Sequence, residues 1–419
     1  MSDGDGAMEA LIDEVLARGR AGDLVAAWAL LSPHRAAADR DPQVGWAWIV
    51  LAKHSPDPRV HRADIEALGR TWCGDPHIAN LAARALYTAV DGRAIDDPIA
   101  GDDPARAAAA LARDALARLR ATGDPRLESD PGGTLWWTLG NALRLAGPAG
   151  YPEAERALEE AGRLFPDELG LHFDRGLLFK FMRRWDQALA CLRRYLEDDP
   201  TDEGALENAA VCATILGQGE LAASMWNRLG YRGVSLGEDG LPRVEGLAPI
   251  ALRLPDPRSA PEHVWATALS PCHARVMTAP AASAAAAYSD LIAFDRLQVG
   301  WVERGGDRLP AFPFLARLRA GDALTAAFVA RADDEAIERL EHALPEGATL
   351  QCFATPAQPP GLVQGVLLVD AAVELSEVRA RVEACQLVLA IPALYRRLGD
   401  HDEAERAERA WAKLTIARP

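Results

Sequence analysis

Lysine is scarce in this chain, and positive charge as a whole is outnumbered. Of the 45 Lys and Arg residues only Lys53, Lys180 and Lys413 are lysine, and 61 Asp and Glu residues bring the net charge to −16. Proteins that bind nucleic acid need Lys and Arg to displace counterions, and anionic membrane surfaces attract the same residues. The sequence therefore predicts neither a nucleic-acid partner nor a membrane partner. Abundant alanine beside so little lysine indicates the GC-rich genome of a bacterium.

Long apolar runs and paired cysteines are also absent. No apolar run approaches the roughly 18–20 residues that a membrane helix needs. The segment Met1–Ala10 has neither the basic nor the apolar part of a secretory signal. The six cysteines are scattered, without a CxxC pair, which in a chain of this size is typical of reduced thiols. We expect a cytoplasmic protein.

The common catalytic motifs are missing too. The sequence has no GxxxxGK[ST], GxSxG or HExxH segment, so it offers no phosphate loop, nucleophile elbow or zinc-protease helix. Gly217-Gln-Gly219 lacks the third glycine of a dinucleotide loop. No catalytic residue, metal ligand or cofactor is predicted from motifs.

What the chain does contain is a period marked by prolines. Pro166 and Pro200 are 34 residues apart, as are Pro42 and Pro76. Small and large apolar residues recur at matching places: Trp136, Leu139, Gly140, Leu143, Ala154, Leu158 and Ala161 in one period, and Gly176, Phe179, Trp185, Ala188 and Leu192 in the next. A fixed period of this length indicates stacked helical hairpins.

The spacing has a physical cause. Gly140 and Gly176 are small enough for the two helices of a hairpin to cross closely, and Ala154 and Ala188 meet them from the second helix. Proline closes each period because it cannot donate an N–H or extend a helix. Asp followed by Pro, at 41–42, 75–76 and 103–104, is typical of a helix start, with Asp as the N-cap.

These residues resemble the tetratricopeptide repeat family over roughly 134–233, with degenerate units upstream. The departures are two extra residues near Gly147–Gly150, and Arg175 and Tyr195 in place of the usual Leu and Ala. The resemblance implies one solenoid of about five or six hairpins over 7–233, with a concave surface that holds a polypeptide. We predict a mainly α protein whose solenoid is followed by a smaller α+β domain, 234–375, and a C-terminal helical hairpin, 376–419.

The α+β domain is predicted from a change of period. Short apolar segments such as Ile250–Leu254 and Val363–Val369 indicate strands, Gly305-Gly306 indicates a hairpin turn, and Asp333–Leu344 indicates a helix. At the C-terminus, Ser376–Leu398 is apolar-periodic, and Pro392 is expected to kink it. No family resemblance is identified here.

The resemblance also implies a binding face on the first helices of the hairpins. It predicts ten residues there: Trp137, Asn141 and Arg144, then Phe173, Asp174, Leu177 and Lys180, then Glu207, Asn208 and Val211. Family members that grip a C-terminal carboxylate use a Lys, Asn and Arg set of which this chain keeps only Asn141, so no carboxylate clamp is predicted. Trp137 and Phe173, flanked by both signs of charge, suit a protein or peptide partner. The chain's own linker, Leu236–Pro261, is an alternative occupant, and Trp136 is expected to be structural.

A second function stays open beside this adaptor. Cys272 and His273 could serve as a thiolate nucleophile with its base, or as metal ligands. Neighbours on a strand point to opposite faces, so a third group such as His263 or Asp290 would have to lie close. In this alternative the chain is an enzyme, and the solenoid recruits its protein substrate.

Overall fold

The computed structural model describes residues 3–88, 104–124, 130–255, 261–280, 285–304, 306–353 and 361–416. The chain divides into two compact units, Met1–Leu216 and Gly217–Pro419. The predicted domain limit at 233 stays a prediction. Among the described residues, no helix has the length and apolar character needed to cross a bilayer.

The first unit is built of helices. They are α1 (Asp3–Arg20), α2 (Leu24–Leu31), α3 (Arg35–Ala38), α4 (Pro42–Lys53), α5 (Arg62–Thr71), α6 (Pro76–Thr88), α7 (Pro104–Thr122), α8 (Gly132–Ala146), α9 (Tyr151–Leu164), α10 (Leu169–Phe181), α11 (Trp185–Asp198) and α12 (Glu203–Ile215). Hairpins form between α1 and α2, α4 and α5, α6 and α7, α8 and α9, and α10 and α11.

The first helices of these hairpins lie side by side. Helix α1 contacts α4, α4 contacts α6, α6 contacts α8, α8 contacts α10, and α10 contacts α12. We call these six helices the inner row. The stacking matches the tetratricopeptide-like arrangement expected from the period.

Helix starts follow the predicted chemistry. Asp41 Oδ1 accepts a hydrogen bond from the backbone N–H of Gln43 at 2.9 Å, and Asp75 Oδ1 accepts one from the N–H of His77 at 2.9 Å. Each carboxylate satisfies a backbone donor that the first helical turn leaves unpaired. These two predicted N-caps are confirmed. Asp103 lies outside the described residues, although α7 begins at Pro104.

The glycines at the hairpin crossings are confirmed in two repeats. A Cβ placed on Gly140 would lie 2.6 Å from Leu158 Cγ and 3.3 Å from the carbonyl oxygen of Ala154. A Cβ on Gly176 would lie 2.7 Å from Leu192 Cγ and 3.4 Å from the carbonyl of Ala188. Real Cβ atoms do not approach this closely, so the crossing distance depends on glycine.

The second unit begins with α13 (Gly219–Arg228), which contacts the small hairpin of β1 (Ser235–Leu236) and β2 (Pro242–Arg243). Trp226 of α13 is fully buried. Its ring centroid lies 5.6 Å from that of Tyr231, and the Arg296 guanidinium lies 5.7 Å from the Trp226 ring. These contacts tie α13 to the sheets that follow it.

The next six strands form a sheet that closes on itself. They are β3 (Ile250–Leu254), β4 (Glu262–Ser270), β5 (His273–Val276), β6 (Leu291–Phe294), β7 (Gly300–Arg304) and β8 (Asp307–Arg319). Antiparallel pairing runs β3-β4-β5-β6-β8, and residues 251–253 then pair in parallel with 311–313, so five strands complete a ring. The predicted hairpin near Gly306 is present, because β7 pairs with the start of β8.

A second sheet of four antiparallel strands follows, in the order β10-β11-β9-β12. Its elements are β9 (Leu324–Arg331), α14 (Asp334–Ala343), β10 (Ala348–Phe353), β11 (Leu362–Val369), α15 (Leu375–Ala384), β12 (Val388–Ala390), α16 (Pro392–Arg397) and α17 (His401–Ile416). The order β-α-β-β-α-β, with the last strand beside the first, is the split β-α-β arrangement. Phe328 and Leu367 pack beneath α14 and α15, while Val329 packs with Trp411 of α17 on the other face.

Two expectations for this half of the chain are corrected. The region 234–375 is not one α+β domain: it holds the closed sheet and only part of the four-stranded sheet, whose last helix and strand lie beyond 375. The segment 376–398 is not one kinked helix, because Val388–Ala390 is extended and pairs with β9. Pro392 stands at the first turn of α16, where its missing N–H costs nothing.

Candidate functional site

The predicted binding residues lie on three neighbouring helices of the inner row. Trp137, Asn141 and Arg144 are on α8, Phe173, Asp174, Leu177 and Lys180 are on α10, and Glu207, Asn208 and Val211 are on α12. The register of the repeats therefore placed each residue on the intended helix. Their role in binding a partner stays a prediction.

Asp174 is the centre of this group. Its Oδ2 accepts a hydrogen bond from Trp137 Nε1 at 2.5 Å and another from Asn141 Nδ2 at 2.7 Å. The edge of the Trp137 indole lies against Gly170, where an added Cβ would come within 2.8 Å of the ring. A single carboxylate on α10 thus fixes both the ring of Trp137 and the amide of Asn141, which is only 4% exposed.

Further side-chain bonds extend the connection in both directions. Lys180 Nζ donates to Asn208 Oδ1 at 2.7 Å, and Asn208 Nδ2 donates to the carbonyl of Gly204 at 2.7 Å. On the other side, Thr138 Oγ1 donates to Asn80 Oδ1 of α6 at 2.6 Å. We call these seven residues the polar ladder: Asn80, Trp137, Thr138, Asn141, Asp174, Lys180 and Asn208. They join α6, α8, α10 and α12 by hydrogen bonds.

Aromatic and apolar groups flank the polar ladder. The half-buried ring of Phe173 lies 5.4 Å from that of Tyr195 and beside Gly204, where an added Cβ would be 3.6 Å from the ring. The guanidinium of Arg144 is buried, 5.3 Å from the Phe181 ring. The partly exposed members of the predicted set are Trp137, Phe173, Asp174, Leu177, Glu207 and Asn208.

The chain's own linker, the alternative occupant of the binding face, contains strands of its own. Parts of Leu236–Pro261 form β1, β2 and β3, which pair within the second unit. Residues 256–260 lie outside the described part of the chain. Its place in the groove stays a prediction.

The other candidate, Cys272 and His273, lies at the turn between β4 and β5 and is fully buried. Arg243 Nη1 is 3.1 Å from His273 Nε2. Because a guanidinium only donates, Nε2 accepts, so the ring proton is on Nδ1. Nδ1 then donates to Ser270 Oγ at 2.5 Å. Asp239 pairs with the other end of the Arg243 guanidinium.

This arrangement opposes general-base chemistry. Burial, and next to it the charge of Arg243, lowers the pKa of His273 to about 3. A base for Ser270 or Cys272 would have to take a proton, whereas His273 donates one to Ser270. Ser270 Oγ also accepts the N–H groups of Cys272 and His273, at 3.3 Å each. The network shapes a tight turn, and Cys272 Sγ lies 3.9 Å from the same Oγ.

Neither residue named as a third group joins this turn. Asp290 accepts the N–H of Gly321 at 2.7 Å and that of Ala287 at 2.8 Å, which holds two loops together. His263 lies on β4 opposite Arg253. Among the described residues, no three His, Cys, Asp or Glu side chains are grouped to hold a metal ion. The partners that matter, Arg243 and Asp239, precede the turn by about thirty residues and carried no sequence signal.

Comparison with known proteins adds little. No family model matches the chain, and no curated protein matches it. Among solved structures, that of PilF from Pseudomonas aeruginosa is similar, with 17% sequence identity and a TM-score of 0.38. The similarity covers 55% of this chain and 94% of the PilF chain. The tetratricopeptide-like architecture is accordingly derived from the protein's own contacts, above all the two glycine crossings.

Proposed function

We propose that the first unit is a protein-interaction module, without catalytic activity, that holds a polypeptide segment along the inner row. The observation that supports this best is the polar ladder, which includes Trp137, with Phe173 beside it. The ladder connects four neighbouring helices of the inner row by side-chain hydrogen bonds, and the rings of Trp137 and Phe173 are partly exposed. An adaptor needs such a surface, fixed before the partner arrives.

Fixed aromatic rings make efficient anchors. A side chain that is already ordered loses less conformational entropy when a partner packs on it. The indole of Trp137 donates to the Asp174 carboxylate, and its edge lies close to Gly170. Aromatic residues in such settings often dominate binding energy, while the polar groups around them set orientation.

The same geometry supports the rejection of a carboxylate clamp. Lys180 is 4% exposed and donates to Asn208, so its ammonium group is engaged within the inner row. Asp174 adds a negative charge next to Trp137 and would repel a carboxylate placed there. The partner segment is therefore expected to present internal side chains rather than its C-terminus.

The test uses Trp137→Ala and Phe173→Ala in the full chain. A partner is first captured from the native host on immobilised protein, identified by mass spectrometry and then produced in pure form. Calorimetry should show each substitution weakening its binding by about 1–2 kcal/mol, which is about five- to thirtyfold in Kd. The loss of an ordered aromatic contact area is the cause.

Trp136→Ala is the matched control. Trp136 is adjacent in sequence, but it packs against the helical core, and the Arg120 guanidinium lies 4.8 Å from its ring. Its removal should lower the melting temperature and leave the affinity of the folded protein unchanged. Unaltered binding by the folded Trp137/Phe173 double variant would remove this surface as the partner site.

A further inference from the structure

A cavity of about 490 Å³ opens at the first end of the inner row. It lies between α1, the turn into α2, and α4. Its size is within the roughly 300–1,000 Å³ range of sites that enclose a ligand. Leu16, Gly19 and Arg20 of α1 and Trp46, Val50 and Leu51 of α4 are among the residues that line it.

The walls are apolar and shaped by two glycines. Gly19 lets α1 approach α4, since an added Cβ would lie 3.1 Å from Leu51 Cδ2. Gly22 has φ +81°, which allows the tight turn that brings Leu24 to the rim. Trp46 is 38% exposed, so a large aromatic face borders the opening. A partly exposed Trp beside an apolar hollow is typical of a binding hot spot.

The rim carries a positive charge, whereas the protein as a whole is negative. Arg20 supplies this charge, and none of the described residues that line the cavity is a carboxylate. Arg20 is exposed and forms no ion pair with any residue that the structure describes. In a chain of net charge −16, this makes the opening locally complementary to negative charge.

The cavity belongs to the same row as the polar ladder. Trp46, Val50 and Leu51 of its lining lie on α4, and Leu16 and Gly19 lie on α1, so two neighbouring helices of the inner row form its walls. Helix α4 reaches α8 through contacts with α6. The cavity and the polar ladder are therefore built on helices of the same row.

We propose that this cavity takes a large apolar side chain, of Phe or Leu size, from a partner polypeptide that carries acidic residues beside it. The apolar walls select the anchoring side chain, and the charge of Arg20 selects acidic residues beside it. The inference rests on the proposed function and specifies the partner's chemistry. A free amphiphilic carboxylate is the other occupant that this lining would accept.

Four labelled dodecapeptides test it. They share a Gly/Ser sequence and differ only at the centre. The central residue is Phe or Ala, and its two neighbours are both Asp or both Lys, which gives the Phe/Asp, Phe/Lys, Ala/Asp and Ala/Lys peptides. Fluorescence anisotropy with the full chain should show the Phe/Asp peptide binding at least about tenfold tighter than the other three. Trp46→Ala should remove the preference for Phe, and Arg20→Glu should reverse the preference for Asp.

Two substitutions outside the cavity serve as controls. Val25 is 83% exposed on α2 and Arg163 is exposed on α9, so Val25→Ala and Arg163→Glu should leave the peptide ranking unchanged. Arg20 is exposed as well, so its exchange is not expected to unfold the chain.

The outcomes separate the two proposals. Equal binding of all four peptides, or an unchanged Phe preference in Trp46→Ala, would overturn the anchor pocket. So would Arg20-dependent binding of decanoate without peptide discrimination, which would mark a small-molecule site instead. If the pocket fails while Trp137→Ala still weakens the captured partner, the adaptor function stands alone. If the pocket discriminates while the Trp137/Phe173 double variant binds normally, the partner lies at the other end of the row.

Discussion

At the scale of single residues, environment decides what a side chain does. Cys272 and His273 look reactive side by side in the sequence, but Arg243 holds one nitrogen of the imidazole and Ser270 accepts from the other. Both ring nitrogens are engaged, and the ring stays neutral in the interior. The geometry therefore indicates that the pair stabilises a turn. The local sequence pattern does not distinguish this structural role from a catalytic one.

We predict that burial of His273 makes the stability of the fold depend on pH. In the unfolded chain His273 takes up a proton below about pH 6.5, whereas burial and Arg243 keep the folded ring neutral until about pH 3. The unfolded state binds more protons in this window, so the free energy of unfolding falls as pH drops. The loss approaches about 1.4 kcal/mol per pH unit.

Urea unfolding at pH 7, 6 and 5 checks this, with His273→Gln as the control that cannot titrate. The carboxylates are shared by both proteins, so only the difference between their slopes belongs to His273. Parallel slopes would show that the ring is protonated in the folded state, or that it contributes nothing. Asp239, which pairs with Arg243, is the nearby acidic group that opposes the shift.

At the scale of elements, the close crossing of α8 and α9 depends on Gly140, which has no side chain. We predict that Gly140→Ala lowers the free energy of unfolding by about 1–3 kcal/mol, the usual cost of overpacking a core. The new Cβ would lie 2.6 Å from Leu158 Cγ, which is fully buried. Chemical denaturation followed by circular dichroism measures the change.

Gly162→Ala is the matched control within the same hairpin. Gly162 lies inside α9 with no atom within 4 Å of an added Cβ. Alanine there should stabilise the helix by about 0.5–1 kcal/mol, because it restricts the unfolded chain more than glycine does. Equal effects at the two positions would contradict the close crossing.

The hairpins were predictable from sequence because their causes are local. The period fixed the crossing glycines, and the Asp-Pro pairs fixed two helix starts. The sheets were less predictable from sequence. Val388–Ala390, for example, is a strand because it pairs with β9. A short apolar segment next to proline does not reveal a partner strand distant in sequence.

The candidate site divides in the same way. Repeat register assigned Trp137, Asp174 and Asn208 to neighbouring helices. The hydrogen bonds between these residues depend on side-chain rotamers and on the distance between two helices. Neither can be predicted from a single sequence. The cavity beside Trp46 was not predictable from the sequence, because the repeats around it are degenerate.

At the scale of the whole molecule, the limit of the second unit is open to experiment. We predict that a fragment of residues 217–419 folds alone. It should melt at a higher temperature than a fragment of residues 234–419, which starts at the limit predicted from the sequence. The shorter fragment lacks the fully buried Trp226 and also Tyr231, so Arg296 loses both of the rings that it packs against. Losing a buried tryptophan typically costs about 3–5 kcal/mol.

Thermal unfolding of the two fragments, followed by near-ultraviolet circular dichroism, provides the comparison. The remaining tryptophans, such as Trp265 and Trp301, report tertiary packing in both. Identical melting curves would place α13 outside the second unit's core and favour the sequence-based boundary at 233.

The ring of strands also bears on when each part of the protein can fold during synthesis. Its closing bonds join residues 251–253 to 311–313, so the cylinder cannot be completed until the ribosome has released both. The paired helices need only neighbours about thirty residues away, and local contacts form fastest. We expect the helical half to be folded while β3 still awaits β8. During that interval, apolar strand edges are exposed and the nascent chain is most open to misassembly.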